Sequence, residues 1–282
     1  MTVMRAQQDC AGQRKRMFWP AVTRFVADYA AAAGTLLVFV LAWQVVTGVW
    51  RIVPSYLLPA PTEVLTTLIS RGPRLLVHAQ ATLTEIVVGY LIAVGLGFAC
   101  AILLLYSRLV ERIVLPLILF LQVIPKLSIA PLMIVWFGYS ITPKVLMTAL
   151  IAVFPILINT LLGLRSLDPQ IGDLFHVLSA GERQIFFKGR LPNAWPHIFA
   201  GLKVGITFAA VGAVVSEWVG ADAGLGFLIL SNIGSGRLDF LFAGIVVIAA
   251  LGIGLFAIIG ILEMLVSPYH TRRAQPGERS PS

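Results

Sequence analysis

Apolar residues in this chain gather into runs of about twenty, separated by short polar stretches, a pattern that suits helices crossing a hydrocarbon core and that a soluble core does not need. Scanned with a window of about 19 residues, the runs fall at residues 34 to 49, 83 to 106, 113 to 137, 144 to 163, 198 to 220 and 241 to 266. The pattern predicts an all-α, polytopic membrane protein with six transmembrane helices. Residues 1–33 read as an N-terminal segment, 34–266 as the membrane domain with a long loop at about 164–197, and 267–282 as a C-terminal tail. The first run begins near Gly34, too far in for a signal peptide, and no small-residue cleavage site follows it, so it is read as an uncleaved span.

The polar stretches orient the spans. With the N-terminus in the cytoplasm, the inside segments carry 14 lysines and arginines and the outside segments 5. The positive-inside rule then places both termini in the cytoplasm. Within the runs, Gly89, Ala93, Gly97 and Ala101, and again Gly201, Gly205, Ala209 and Ala213, put a small residue at every fourth position. Such stripes let helix backbones approach closely. The third run holds Pro116, Pro125 and Pro131, and is expected to bend or break, which lipid tolerates only beside protein or a water-filled cavity. Pro155 and Asn159 make a weaker case for the fourth. Thr82 and Glu85 have the spacing of a capping box at the start of the second span. Of the charges at membrane depth, Lys126 and Glu217, together with Asn159, are kept as candidate pathway or gate residues, the alternative being a satisfied structural pair.

The 164–197 loop is too patterned for a passive connector. Asp168 before Pro169 is a helix start, predicting a short helix from Pro169 to about Leu178. After Ser179, Ala180 and Gly181, a second stretch from Glu182 to about Gly189 mixes Arg183, Gln184 and Lys188 with Ile185, Phe186 and Phe187, and Leu191-Pro192 and Trp195-Pro196 are expected to end it. Exposed aromatics here fit either a protein-docking surface or a helix lying on the bilayer.

The residues Asp173-Leu174-Phe175, Ser179-Ala180, Arg183-Gln184-Ile185-Phe186 and Leu191-Pro192 resemble the EAA loop of ABC-importer permeases. Further matches are Leu58-Pro59-Ala60-Pro61-Thr62-Glu63, Ile124-Pro125-Lys126-Leu127 with Ala130-Pro131-Leu132 and Trp136-Phe137-Gly138, Phe154-Pro155-Ile156, and Glu217 with Ala223-Gly224-Leu225-Gly226. Over most of residues 55 to 266 the chain is similar to permeases for nitrate, sulfonates, taurine and related small molecules. The resemblance implies the type I ABC-importer permease fold and a bacterial inner-membrane location. It also implies a homodimer with a second permease copy, cytoplasmic ATP-binding subunits docked on the coupling loop, and an extracytoplasmic substrate-binding protein. Two departures stand out: the acidic-small-small opening reads Asp173-Leu174-Phe175, and Ser179 stands where the family usually has glycine, although serine is poorer at positive φ.

Composition and charge exclude other classes. The chain is 58% hydrophobic and only 12% charged, so membrane rather than water is its main surroundings. Its net charge of +8 sits in inter-span segments without interleaved aromatics, giving no stripe for nucleic acid. Cys10 and Cys100 lie in a tail and a span, and His78, His176, His197 and His270 are scattered, so neither a disulfide nor a metal site is expected. There is no phosphate loop of the G-x-x-x-x-G-K-[ST] kind. No cofactor is therefore expected in this chain, and ATP is expected on a partner subunit. Ser216-Glu217 and Ser231-Asn232 lack a local histidine, so no catalytic residue is proposed and an enzyme is disfavoured. An ion-coupled secondary transporter would instead show midplane acids or histidines and internal repeats.

Overall fold

In the computed structural model, which describes residues 34 to 266, every apolar run is helical, and no strand occurs among the described residues. The expected terminal segments 1–33 and 267–282 lie outside the described residues. Of the described residues, 34–66 form a unit of their own, containing helix α1 (Gly34–Val49) and the first turns of α2 (Pro61–Ser70). Pro61 opens α2, where a missing N–H costs nothing, and Glu63 reaches back to accept from the Ala60 N–H at 3.3 Å. Gln44 closes the turn from the other side, accepting from the Thr62 N–H at 3.1 Å.

The second unit carries the other five predicted spans. It comprises α3 (Gly72–Tyr106), α4 (Arg108–Val123), α5 (Lys126–Phe137), α6 (Ile141–Arg165), α7 (Pro169–Val177), α8 (Glu182–Ile185), α9 (Leu191–Gly220), α10 (Leu225–Gly234) and α11 (Leu238–Val266). Helices α3, α6 and α11, and the continuous stretch Glu182–Gly220, are each long and apolar enough to cross a bilayer. The third run breaks at the central one of its three prolines. Ile124 takes an extended conformation (ψ 125°) ahead of Pro125, and α5 restarts at Lys126, because a proline ring disfavours helical geometry in the residue before it.

Packing centres on α6, which both small-residue stripes grip. A Cβ on Gly89 would lie 2.6 Å from Thr148, and one on Gly97 2.9 Å from Ile156. From the other side, a Cβ on Gly201 would lie 2.7 Å from Asn159 and one on Gly205 2.6 Å from Ile156. Ile156 is thus wedged between two glycines, and Ile86, Tyr90, Ala152 and Ala209 complete the same core. These contacts also fix direction: residue numbers rise together along α3 and α6 and oppositely along α9. For α3 and α6 to run parallel, the chain between them has to cross back once, which is the span that α4 and α5 make together.

Two expectations are corrected. Helix α3 begins at Gly72, with Pro73 in its first turn, so Thr82 and Glu85 sit three turns inside it and form no capping box. The residues from Arg74 to Leu83 are ordinary helix formers, and nothing in them stops the helix starting earlier. Nor do Leu191-Pro192 and Trp195-Pro196 end the second loop helix. A widened π turn over Phe186–Arg190 carries α8 directly into α9, and Pro192 falls in the first turn of α9, where its missing donor is tolerated.

Candidate functional site

The 164–197 loop is built as two helices around one strained turn. Asp168 Oδ1 accepts from the Gln170 N–H at 2.8 Å, the side-chain cap its sequence implies. Helix α7 ends with the Ala180 N–H donating to the Phe175 carbonyl at 2.9 Å, the six-to-one bond of a Schellman ending. In that motif one residue turns left-handed, and it is Ser179, at φ +53°. A residue with a Cβ gives up about 1–2 kcal/mol there, so the backbone keeps a glycine-type turn while the sequence carries serine.

Side chains on this loop divide into anchors and outward faces. Phe175 packs on Gly189, where a Cβ would lie 2.9 Å from its ring. Ile185 is buried, and Phe186 joins the cluster of Leu164, Ala194 and Ile198 at the loop ends of α6 and α9. Below them Asn193 donates to Ser166 Oγ at 2.9 Å and Arg190 to the Leu164 carbonyl at 3.3 Å. Facing away are Leu174 (56% exposed) and Phe187 (63%), with Asp173, Arg183, Gln184 and Lys188 around them. Of the two phenylalanines expected to be exposed, only Phe187 is.

At the opposite end of α9 lies a buried polar clamp. Glu217, 1% exposed, accepts from Thr82 Oγ1 at 2.6 Å and from the backbone N–H groups of Gly226 and Phe227. Thr82 Oγ1 in turn accepts from the Leu225 N–H at 2.8 Å, and His78 Nδ1 from the Gly224 N–H at 3.1 Å. One carboxylate and two side chains of α3 therefore take up the free amides at the start of α10. The glycines are required for this: Gly224 has φ +118°, and a Cβ on it would lie 2.2 Å from the Glu217 carboxyl carbon. Beside the clamp, Glu85 pairs with Lys144 at 3.2 Å, both buried.

The third site is the Pro125 break. A cavity of about 330 Å³ lies there, lined by Gln122, Lys126, Phe154, Pro155, Asn159 and Phe208 among others. Lys126 Nζ donates to Gln122 Oε1 at 2.9 Å and more weakly to the Gln122 carbonyl at 3.4 Å. Asn159 donates to the Pro155 carbonyl at 2.8 Å. Lys126 and Asn159 are thus brought together, and Glu217 is not with them.

Sequence reasoning missed Lys144 as the partner of Glu85, Gln122 as that of Lys126, and Thr82 and His78 as clamp residues. Glu217 followed by two closely spaced glycines was the signal available for the clamp. No signal existed for Lys144–Glu85, whose members are 59 positions apart.

The model of the family described as the binding-protein-dependent transport system inner membrane component matches residues 93–268. The formylaminopyrimidine transport permease protein of Halalkalibacterium halodurans is 35% identical over 87% of this chain and 99% of its own length. A putative aliphatic sulfonates transport permease protein of Bacillus subtilis is 34% identical over 79% of this chain and 82% of its own. Among solved structures, one titled as an amino acid ABC transporter with histidines superposes with a TM-score of 0.57 at 18% identity, covering 72% of this chain and 97% of that one. At that identity the likeness speaks for the fold alone.

Proposed function

The chain belongs to the family of binding-protein-dependent transport system inner membrane components, and on that premise we propose that it is the permease subunit of an ATP-driven importer working by alternating access. The observation that carries this reading is the build of the loop. Its outward face offers Leu174 and Phe187 among charged residues, which suits protein docking, while α8 runs without interruption into α9 over 39 residues. A push on α8 would travel along α9 to Glu217 and, through the clamp, to α3 and α10.

In this reading two cytoplasmic ATP-binding subunits dock on the loop and hydrolyse ATP, a binding protein delivers solute from the other side, and two copies of this chain form the pathway. Both termini face the cytoplasm. The solute is small, of the nitrate, sulfonate or taurine kind or a heteroaromatic vitamin precursor; the two relatives above, named for aliphatic sulfonates and for formylaminopyrimidine, support the sulfonate and heteroaromatic members of that range.

Reversing charge at Arg183 and Lys188 together (Arg183→Glu, Lys188→Glu) tests the docking. Co-purification with the ATP-binding subunit is expected to be lost while the amount of chain in the membrane is unchanged. Undiminished co-purification would refute it.

A further inference from the structure

Three lysines lie within or at the margins of the spans, and they are not treated alike. Lys144 is paired with Glu85 and Lys203 with Glu263. Lys126 has no carboxylate within 4 Å among the described residues. Of the three donors on its ammonium, the two described bonds go to Gln122 alone. A cation at membrane depth is costly unless something compensates it, and paired lysines show that this fold can supply a carboxylate where a permanent partner is wanted. Lys144 and Glu85 also line a cavity, of about 540 Å³, but its cation is already matched. At Lys126 the space, about 330 Å³, comes without a carboxylate, and it lies at the low end of small-molecule pockets, which run from roughly 300 Å³ upward.

The walls of that space are also specific. Gln122 and Asn159 bring side-chain amides, and Phe154 and Phe208 bring aromatic faces. Asn159 spends one of its two side-chain N–H donors on the Pro155 carbonyl, so a second donor remains for an anionic solute beside the acceptor oxygen. A cation, amide groups and flat apolar walls together match a solute with an anionic head and a compact apolar or planar body.

We propose that the cavity at the Pro125 break is a solute-selecting station for small anions, with Lys126 as the charge that the passing solute neutralises. The proposal rests on the transport reading above and narrows it to anionic cargo, such as a sulfonate or carboxylate. It also gives the helix break a purpose, since Gln122 in the last turn of α4 and Lys126 at the start of α5 stand on either side of Pro125 and both line the cavity.

The test needs no knowledge of the natural cargo. In a background with Cys10 and Cys100 replaced by serine, Phe208→Cys puts a single thiol on the cavity wall, with Asn159→Cys as a second reporter should the first lower membrane abundance. Vesicles of both orientations carrying the complete transporter are treated with a methanethiosulfonate bearing a sulfonate and with one bearing a trimethylammonium group, and the rate ratio is normalised to a free thiol. The sulfonate reagent is expected to be favoured on the order of tenfold, the effect of one unit charge several ångströms away in a partly hydrated site. Lys126→Gln is expected to abolish the preference and Lys126→Arg to keep it. The same preference in Lys126→Gln, or a thiol that neither reagent reaches from either face, would overturn the proposal. Adding ATP separates the two readings: reactivity indifferent to ATP counts against the ATP-driven mechanism and leaves the charge ratio as it stands.

Discussion

Glu217 and Lys126, one at the clamp end of α9 and one at the Pro125 break, are both charges at membrane depth, and the fold handles them in opposite ways. Glu217 is enclosed by donors from α3 and α10, and its neighbour Glu85 is matched by Lys144. Among the described residues, Lys126 has the amide and carbonyl of Gln122, four residues back, and a cavity. The difference teaches how to tell a structural charge from a working one in a membrane protein: charges that hold helices together are closed by partners from other helices. On the proposal made for Lys126, a charge meant for a transient partner is left open, on a segment whose backbone regularity has been given up.

The sharpest way to break this comparison is to remove a partner on the closed side. Glu85→Leu leaves Lys144 buried, at 8% exposure, with no carboxylate, and is expected to cost about 3–5 kcal/mol, as when one member of a buried pair is lost. Adding Lys144→Met should restore most of it. Lys126→Met, by contrast, is expected to change stability by less than about 1 kcal/mol, because no partner is orphaned except one amide. Thermal unfolding of the three variants in detergent checks the contrast, and equal losses for Glu85→Leu and Lys126→Met would erase it.

The 164–197 loop sharpens the comparison with strain in place of charge. Ser179 holds a left-handed turn without being glycine, and Ser179→Gly is expected to stabilise the protein by about 1 kcal/mol, the lower part of the penalty for that conformation offset by the extra freedom of glycine when unfolded. A melting temperature unchanged or lowered by Ser179→Gly would show that the serine is held there at no cost. The position of this turn was legible, since Ser179 stands where a glycine is usual, but its conformation was not: serine is poorer at positive φ, which argued for a changed turn, and the left-handed turn is kept. The six runs, a break somewhere in the proline-bearing third one and the grip of the small-residue stripes were legible too, because each depends on neighbours in sequence or on a helical period; which of the three prolines would break the helix was not. What stayed hidden depends on long-range pairing. Thr82 and Glu85 looked like a cap because their spacing is that of one, and only the packing of α3 against α6 and α9 shows that Thr82 serves Glu217 and that Glu85 serves Lys144. Pro192 looked like a terminator because no local rule foresees the π turn that absorbs it.

The smallest expected effect lies outside the membrane-spanning runs, where Arg165 donates to Glu111 at 2.7 Å and also to the Leu104 carbonyl at 3.1 Å, tying the ends of α3, α4 and α6 together. The Arg165 hydrogen bond holds the Glu111 carboxyl below its ordinary value of 4.5. A carboxylate whose folded value is depressed contributes stability above its unfolded value and loses it as pH falls through the folded one. Wild type is therefore expected to melt slightly above Glu111→Gln at pH 7, with the gap closing only below about pH 4.5. The pair is solvent-exposed, so the gap should also shrink with added salt, unlike the loss in Glu85→Leu, whose buried pair salt does not screen. A gap that survived both acid and salt would mean that Glu111 is held by packing, and the division between closed and open charges would then have to be drawn by burial alone.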